Sequence, residues 1–292
     1  MSFSVSGQET PSWFSESLLH LPDEVAEAAT AGKRVMLYFG QDGCPYCKRL
    51  MEVNFRQRAT VERMQQRFVA LALNVWGDRD VVWVEGGTSG KAMTEKQLAA
   101  RLKVQFTPTL IFLDEKGGIA LRLNGYYAPE RFNAALDYAS GKISGVEFRN
   151  FQGKSSREKL NEQPFFTEKR SGKPLAMLFE TPYCAECDAL HREVFTRAEV
   201  LEQLGKFDVM RFPVPGKEAL SLKVEYVPTL VLLDARGREA LRLEAYFRPF
   251  HVAGALDYVA SGAYRTEPSF QRFLQLKSDG MRSRGVQVDL WK

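Results

Sequence analysis

The chain has 292 residues, of which 45% are hydrophobic and 26% are charged, and this is the composition of a globular protein rather than a disordered one. Because single hydrophobic cores rarely extend past about 250 residues, the length predicts two domains. The formal net charge of +4 is too small to indicate a nucleic-acid-binding surface. The longest apolar runs are only as long as a strand, so no transmembrane segment is expected. The polar first ten residues show no signal-peptide pattern.

The four cysteines are concentrated at two points of the chain. They form two Cys-x-x-Cys pairs, Cys44 with Cys47 and Cys184 with Cys187, and none is left over. A disulfide framework that holds a small secreted domain together would instead spread its cysteines through the loops of a short chain. The cysteines are therefore predicted to serve chemistry rather than to hold the fold together.

The two halves of the sequence resemble each other. Five pairs of segments correspond in order: Gly32–Phe39 with Gly172–Phe179, Cys44–Cys47 with Cys184–Cys187, Thr107–Leu110 with Val227–Leu230, Ala120–Leu123 with Ala240–Leu243, and Leu136–Tyr138 with Leu256–Tyr258. A repeat of this length is a whole domain and not a unit of a solenoid. We predict one domain over residues 10–150 and a second over 155–292, with a Gly- and Ser-rich linker at Gly141–Ser156. The first copy carries an insertion around Asp78–Thr94.

Both copies predict an α/β domain with the order β-α-β-α-β-β-α. In the first copy the predicted elements are a buried strand Arg34–Phe39, a helix that begins at the cysteines, a strand Val69–Trp76, a helix opened by a capping box at Thr94 and Gln97, a hairpin of Thr109–Asp114 with Ala120–Tyr126, and a helix from Pro129 to about Ala139. In the second copy the first two strands are expected at Leu175–Phe179 and Phe207–Phe212. Parallel and antiparallel strands are therefore mixed in each sheet.

A Cys-x-x-Cys that follows a buried strand and opens a helix places its first sulfur at the helix N-terminus. Unpaired backbone N–H groups and the helix dipole favour an anion there, which lowers the pKa of a thiol. The second sulfur, one turn further on, can then attack a mixed disulfide. This predicts Cys44 and Cys184 as the attacking thiols and Cys47 and Cys187 as the resolving thiols. Pro45 suits the first helical turn.

These features resemble the thioredoxin superfamily. Within it, the segments Asp42–Cys47, Val75–Asp78 and Phe106–Thr109 are similar to those of the bacterial SoxW-like thioredoxins. The resemblance implies two tandem thioredoxin folds, each with a central mixed β-sheet flanked by helices. It implies thiol–disulfide exchange with protein disulfides, no cofactor beyond the redox-active cysteines, and no metal. A membrane thiol reductant of the DsbD or CcdA type is the implied electron donor, and the periplasm the implied compartment, with the cytoplasm as the alternative.

The resemblance also implies a substrate-binding loop in each copy. Pro108 and Pro228 come just before an apolar strand, where a proline in a trans linkage would disturb the sheet. A cis bond at that point would leave the backbone of Thr107 or Val227 to receive an extended segment of the substrate. Tyr46, between the first two cysteines, is expected either to contact substrate or to shield the sulfur.

The sequence departs from classical thioredoxins at both sites. Gly43 and Tyr183 stand where those proteins carry Trp, and Tyr38 and Leu178 stand where they carry a buried carboxylate. The second copy also has the spacer Ala185–Glu186 and an acidic Asp188 beside its second cysteine. Because negative charge opposes the formation of a thiolate, Cys184 is predicted to be the less reactive attacking thiol.

Other interpretations of the cysteines remain open. Either pair could form a static disulfide or half of a zinc site, and a Cys-Pro-Tyr-Cys spacer also occurs in glutaredoxins that bridge an iron–sulfur cluster. At the level of function the alternatives are a chaperone or partner-binding scaffold with a weakly active second domain, a disulfide isomerase, and a metal-delivery protein.

Three further features carry weaker predictions. His191, four residues after Cys187, is expected to be a helix-surface residue, with proton transfer or metal binding as its functional alternatives. The insertion at Asp78–Thr94 is expected to form either a partner-docking lid or a short hairpin packed on the core. The segment Arg265–Lys292 is expected to pack on a domain, contact a partner or remain a solvated tail.

Overall fold

The computed structural model describes residues 10–85, 88–144, 166–167, 169–181, 184–224 and 226–288. The chain divides into two compact units, with the division between residues 148 and 149. Most of the predicted linker Gly141–Ser156 lies outside the described residues, and so does Tyr183. In the described part of the chain, no helix combines the length and the apolar character needed to cross a membrane.

Unit 1 contains six strands and five α-helices among its described residues. In chain order they are α1 (Leu21–Thr30), β1 (Arg34–Gly40), α2 (Pro45–Arg49) continued by a π-helical turn (Leu50–Asn54), α3 (Arg58–Arg67), β2 (Phe68–Asn74), β3 (Asp80–Glu85), β4 (Thr88–Thr94), α4 (Glu95–Arg101), β5 (Thr109–Leu113), β6 (Ile119–Asn124) and α5 (Pro129–Ala139). Helix α1 had no counterpart among the predicted elements.

The sheet of unit 1 has the strand order β2-β1-β5-β6. Strand β1 pairs parallel with β2 and antiparallel with β5, so the predicted mixed sheet is confirmed. Its residues from Val35 to Gly40 are all buried, because packed elements cover both faces of a central strand. On one face, Val35, Leu37 and Phe39 join a core with residues of α1, β3 and α4.

The insertion of unit 1 forms the hairpin β3–β4. Val81, Trp83 and Val84 are at most 7% exposed and belong to the core on one face of the sheet. Of the two expectations for this segment, the packed hairpin is confirmed. Burial of these apolar side chains is the driving force that holds the hairpin on the domain. Gly86 and Gly87 lie outside the described residues.

Unit 2 repeats the arrangement. Its described elements are β7 (Leu175–Glu180), α6 (Ala185–Ala189) continued by a π-helical turn (Leu190–Val194), α7 (Ala198–Leu204), β8 (Asp208–Pro213), α8 (Lys217–Ser221), β9 (Thr229–Leu233), β10 (Glu239–Glu244), α9 (Pro249–Ala260), a 3₁₀ turn (Ala263–Arg265) and α10 (Phe270–Ser283). The strand order is β8-β7-β9-β10, with β7 parallel to β8 and antiparallel to β9. Two α/β units of the same topology therefore follow one another in the chain.

Half of the C-terminal segment forms the helix α10, which packs against α9. Phe270 and Leu274 of α10 are buried, and the rings of Phe270 and Phe273 lie 5.3 and 5.0 Å from the ring of Tyr258 in α9. For the described part of the segment, the expectation that it packs on a domain is therefore confirmed. The end of the segment, including Leu290 and Trp291, lies outside the described residues.

Candidate functional site

The first dithiol lies where α2 begins. Cys44 is the N-cap residue, and the backbone N–H of Cys47 donates to its Sγ atom over 3.1 Å. The two cysteines form a disulfide, with their Cα atoms 5.2 Å apart. Gly43, before them, has a φ of +69°, a conformation that favours glycine and explains why no tryptophan stands there. The predicted placement of the first sulfur at a helix N-terminus is thus observed.

The proline loop of unit 1 lies against this disulfide. The Cys44 Sγ atom is 3.2 Å from the carbonyl oxygen of Thr107, and the peptide bond between Thr107 and Pro108 is cis. Thr109 closes the loop, because its hydroxyl donates to the carbonyl of Phe106 over 2.8 Å. The structure therefore brings together residues separated by 63 positions in the sequence.

The second dithiol is built in the same way. Cys184 caps α6, and its Sγ atom accepts a 3.1 Å hydrogen bond from the N–H of Cys187. The disulfide between them packs against Val227, whose bond to Pro228 is cis. The hydroxyl of Thr229 donates to the carbonyl of Tyr226 over 2.8 Å, as Thr109 does in unit 1. Thr109 and Thr229 were not singled out from the sequence, although both copies contain a Pro-Thr step.

Burial differs slightly among the four sulfurs. Cys44 is 5% exposed and Cys184 is 1% exposed, whereas Cys47 and Cys187 are fully buried. Cys44 is thus more accessible than Cys47, whereas Cys184 and Cys187 are both buried. Tyr46 is only 6% exposed, so its side chain offers little surface to a partner in this oxidised state.

The short helices that begin at the two dithiols carry charges of opposite sign. Helix α2 carries Lys48 and Arg49 in its last turn and no acidic residue in its first. Helix α6 carries Glu186 and Asp188 in its first turn, and Asp188 is 2% exposed. A buried carboxylate competes with a thiolate for the favourable field at a helix N-terminus. This supports, without testing, the prediction that Cys184 is the less reactive thiol.

The structure corrects the expectation for His191, which is not a helix-surface residue. Its side chain and that of Glu180 are both fully buried, and His191 Nε2 lies 2.7 Å from Glu180 Oε1. Arg211 Nε is 4.0 Å from the other carboxylate oxygen. Burial of a carboxylate is tolerated only where it is paired, which explains why the histidine points inward.

One signal in the sequence could have revealed this pair. The positions that match Glu180 and His191 in the first copy are Gly40 and Met51, so both members change together between the repeats. Glu180 ends β7, four residues before Cys184, and His191 follows Cys187 by four residues. The two members of the buried pair therefore flank the second dithiol in the chain, and the matching positions of unit 1 do not carry such a pair.

Trp76 is a second residue that the sequence analysis did not place at the site. Its indole is 40% exposed, and Nε1 donates to Gln41 Oε1 over 2.8 Å. Gln41 lies in the short loop that connects β1 to Cys44. An exposed indole held against the loop that leads to the first dithiol offers a partner a rigid apolar contact.

Beneath Trp76, a buried ion pair supports the loop that follows β2. Glu95 is 2% exposed, and its Oε1 atom accepts from Arg79 Nη2 over 2.6 Å and from the Asn74 N–H over 3.0 Å. A Cβ atom on Gly77 would come within 2.0 Å of Glu95 Oε2, so a larger residue there would force the Glu95 carboxylate to move. Within the part of the chain that the structure describes, no group of three or more His, Cys, Asp or Glu side chains is arranged to hold a metal ion.

Comparisons with known proteins agree with this architecture. The family model described as a thioredoxin-like domain matches residues 21–140 and again residues 167–260. No curated protein sequence matches the chain.

Solved structures with similarity include a thioredoxin-fold protein from Helicobacter pylori, with 22% identity over 49% of this chain and 82% of that chain and a TM-score of 0.38. A thioredoxin from Thermus thermophilus shows 25% identity over 44% of this chain and 89% of its own, with a TM-score of 0.34. The periplasmic thioredoxin SoxS from Paracoccus pantotrophus shows 19% identity over 38% and 100%, with a TM-score of 0.26. Since the family model covers most of the chain in two separate matches, the protein belongs to the thioredoxin-like domain family and carries that domain twice.

Proposed function

We propose that the protein is a thiol–disulfide oxidoreductase that exchanges electrons with protein disulfides through two dithiols. One observation carries the proposal: in each unit a Cys-x-x-Cys disulfide caps a helix and lies against a proline loop. The helix N-terminus supplies the field that a thiolate needs, and the loop supplies backbone beside the sulfur. A bound cofactor is not required, because the electrons travel in the cysteine sulfurs.

The proposed reaction at unit 1 starts from the reduced dithiol. The Cys44 thiolate attacks one sulfur of a substrate disulfide, forms a mixed disulfide and releases the other substrate sulfur as a thiolate. Cys47, after losing its proton, attacks Cys44 Sγ and releases the second substrate thiol. The substrate has then gained two electrons, and Cys44 and Cys47 are left as the disulfide seen here. An external dithiol reductant returns the site to its starting state.

The substrate contacts belong to the same proposal. Thr107 and Pro108, with Val227 and Pro228 in unit 2, are proposed to receive an extended substrate segment beside the attacking sulfur. The distance of 3.2 Å between Cys44 Sγ and the Thr107 carbonyl oxygen supports this role, because a segment bound to that backbone would bring its own disulfide within reach. Tyr46, which is buried, is proposed to shield the sulfur.

The likeness of the cysteine segment to SoxW-like thioredoxins supports a finer proposal. In it, the protein works in the periplasm and receives electrons from a membrane thiol reductant of the DsbD or CcdA type. A cytoplasmic location would replace that donor by a soluble one. Fractionation of cells that express the natural gene decides between the two.

Single serine substitutions test the main proposal. Cys44→Ser should abolish most reduction of a protein disulfide such as that of insulin, and Cys184→Ser should cost less. Equal losses would refute the ranking of the two thiols. Cys47→Ser should accumulate mixed disulfides with partners, whereas the matched Cys44→Ser/Cys47→Ser variant should accumulate none. If the variant with all four cysteines replaced by serine reduces the disulfide as fast as the wild type, the oxidoreductase proposal is wrong.

The burial and acidic surroundings of the second dithiol favour a second candidate role for unit 2. Cys184 is 1% exposed, and the nearly buried Asp188 lies in the same short helix. A unit with this site could bind partner proteins without reducing their disulfides. A Cys184→Ser/Cys187→Ser variant that binds partners unchanged and reduces them at the full rate would support that role. Rescue of a scrambled disulfide by the wild type would instead indicate an isomerase.

A further inference from the structure

A pocket of unit 2 is lined by three arginine side chains. The cavity has a volume of about 390 Å³, and we call it the arginine pocket. It is lined by Arg192, Glu193, Thr196, Arg197, Tyr246, Arg248 and Pro249. Three guanidinium groups and one carboxylate give this lining a formal charge of +2. Arg197 lies 3.3 Å from Glu199, which is outside the lining, and Arg192 lies 3.9 Å from Glu193 within it.

The pocket shares both of its walls with the second dithiol. Arg192 and Glu193 belong to the π-helical turn that continues the helix of Cys187. On the opposite wall, Tyr246 follows Ala245, whose N–H donates to the carbonyl of Pro228 over 2.9 Å. A ligand in the pocket is therefore held between the cysteine helix and the segment that carries the proline loop.

The polar groups of the pocket are arranged to receive negative charge. Glu193 accepts a 2.8 Å hydrogen bond from the hydroxyl of Tyr246, so its carboxylate already has a partner. Burial and the Glu193 carboxylate raise the pKa of Tyr246 to about 12, which keeps this hydroxyl protonated as a donor. Arg248 lies with its guanidinium 5.8 Å from the Tyr246 ring.

The N-terminus of α9 adds to this field. Arg248 and Pro249 are the N-cap and first residues of α9, and the first turn of this 12-residue helix contains no acidic residue. Unpaired N–H groups and the helix dipole favour an anion at such an end. In unit 1 the matching helix α5 has Glu130 in its first turn.

The repeat itself shows that the pocket is specific to unit 2. At the positions that match Arg192, Arg197 and Arg248, the first copy has Glu52, Gln57 and Ala128, respectively. The tyrosine and the proline are retained, as Tyr126 and Pro129. The scaffold of the wall is therefore common to both units. The first copy has Arg56 where the second has Thr196, so the matching positions of unit 1 carry no net charge, whereas those of unit 2 carry +2.

We propose that the arginine pocket binds an acidic segment of a disulfide-bearing protein and so directs acidic partners to the second dithiol. The inference rests on the proposed function of that dithiol. Arginine side chains bind carboxylates through paired N–H donors, which suits a glutamate or aspartate side chain that enters beside the proline loop. Selection by the pocket gives unit 2 a different substrate class from unit 1.

A binding experiment tests the pocket without requiring turnover. A fluorescent peptide with serine in place of cysteine and two flanking glutamates is titrated with the full oxidised chain, next to its glutamine counterpart. The glutamate peptide should bind about fivefold more tightly at low ionic strength, as expected for two or three half-exposed ion pairs. The preference should disappear near 0.5 M salt, where the Debye length is only about 4 Å.

Two charge-matched variants show whether the preference for the glutamate peptide depends on the arginine pocket. Arg192→Gln/Arg197→Gln/Arg248→Gln should bring the ratio of the two affinities close to one. The control Arg236→Gln/Arg282→Gln/Arg284→Gln removes the same charge from exposed positions outside the pocket and should keep the ratio. Equal ratios in the two triple variants would overturn the proposal, because the effect would then come from net charge alone.

A reduction experiment separates this inference from the proposed function. In a Cys44→Ser/Cys47→Ser background, acidic and neutral disulfide peptides are reduced through unit 2 only. If neither peptide is reduced but the binding preference still depends on the three arginines, the pocket proposal is supported and the proposed activity of unit 2 is wrong. If both are reduced at one rate whether or not the arginines are present, the pocket proposal fails and the activity stands. Inorganic phosphate that binds more tightly than the acidic peptide would show that a free anion, and not a protein segment, is the occupant, which would also overturn the proposal.

Discussion

Removing His191 alone should destabilise unit 2 more than removing both members of its buried pair. His191→Met installs the residue that the first copy has at the matching position, Met51, and leaves the Glu180 carboxylate buried without its 2.7 Å partner. Breaking a buried ion pair from one side typically costs about 3 to 5 kcal/mol. The lower figure applies here, because Arg211 Nε remains 4.0 Å from Glu180 Oε2. We therefore expect a loss of about 3 kcal/mol in the free energy of unfolding of unit 2.

The double variant Glu180→Leu/His191→Met should lie within about 1 kcal/mol of the wild type, because apolar residues of similar volume can replace a buried pair at little cost. Hydrogen exchange measured by mass spectrometry on the full chain reports the two units separately. In β7, protection of the single variant should fall by about 100-fold, with the peptides of unit 1 as the internal reference. If the double variant is as unstable as the single one, the two side chains do not act as a pair and the argument fails.

Three other predictions each concern a single residue. Burial lowers the pKa of His251 from its usual 6.5 to about 4. The unfolded chain therefore takes up the proton before the folded chain does as the pH falls. The free energy of unfolding of unit 2 should drop by about 2 kcal/mol between pH 7 and 5. Hydrogen exchange in α9 measures this step, and a His251→Gln variant that keeps the same step would contradict the assignment. Trp76→Ala should slow reduction of a protein disulfide several-fold more than reduction of a small disulfide, because only a protein partner reaches the indole; equal slowing would exclude a docking role. Gly77→Ala should cost about 1 to 3 kcal/mol in thermal unfolding, since the new methyl group displaces Glu95 from its ion pair with Arg79; an unchanged midpoint would show that Glu95 can shift freely.

The internal repeat makes each unit the control for the other. Both keep the capping cysteine, the proline loop and the threonine that closes it, which are the parts that thiol exchange needs. They differ in the charges beside the dithiol, in the buried pair of Glu180 and His191, and in the arginine pocket. A common scaffold with different electrostatics is the arrangement expected where two dithiols serve different partners or work at different potentials. The reduction potential of each pair, measured with the other pair replaced by serine, tests that division of work.

Local patterns in the sequence predicted much of the fold. The capping box at Thr94 and Gln97 is present as predicted, and α5 runs from Pro129 to Ala139. These features depend on residues three or four positions apart, so short windows contain the necessary information. The strand β2 ends at Asn74, two residues before the predicted end, because a turn begins there: Asn74 Oδ1 accepts from the Trp76 N–H and the Asn74 carbonyl accepts from the Gly77 N–H, both over 2.9 Å.

The sequence by itself determined the duplication, the class of fold and the placement of each cysteine pair at the start of a helix, because these follow from patterns within a few residues and from the repeat. The tertiary structure alone decided which distant side chains meet. Glu180 and His191 are 11 positions apart, and Glu193 and Tyr246 are 53 positions apart. Their contact depends on strand register and on how each helix rotates against the sheet, and no local pattern encodes either. The two dithiols and the acidic residues beside the second one were therefore legible in the sequence, whereas the buried pair of Glu180 and His191 and the arginine pocket became visible only in the folded chain.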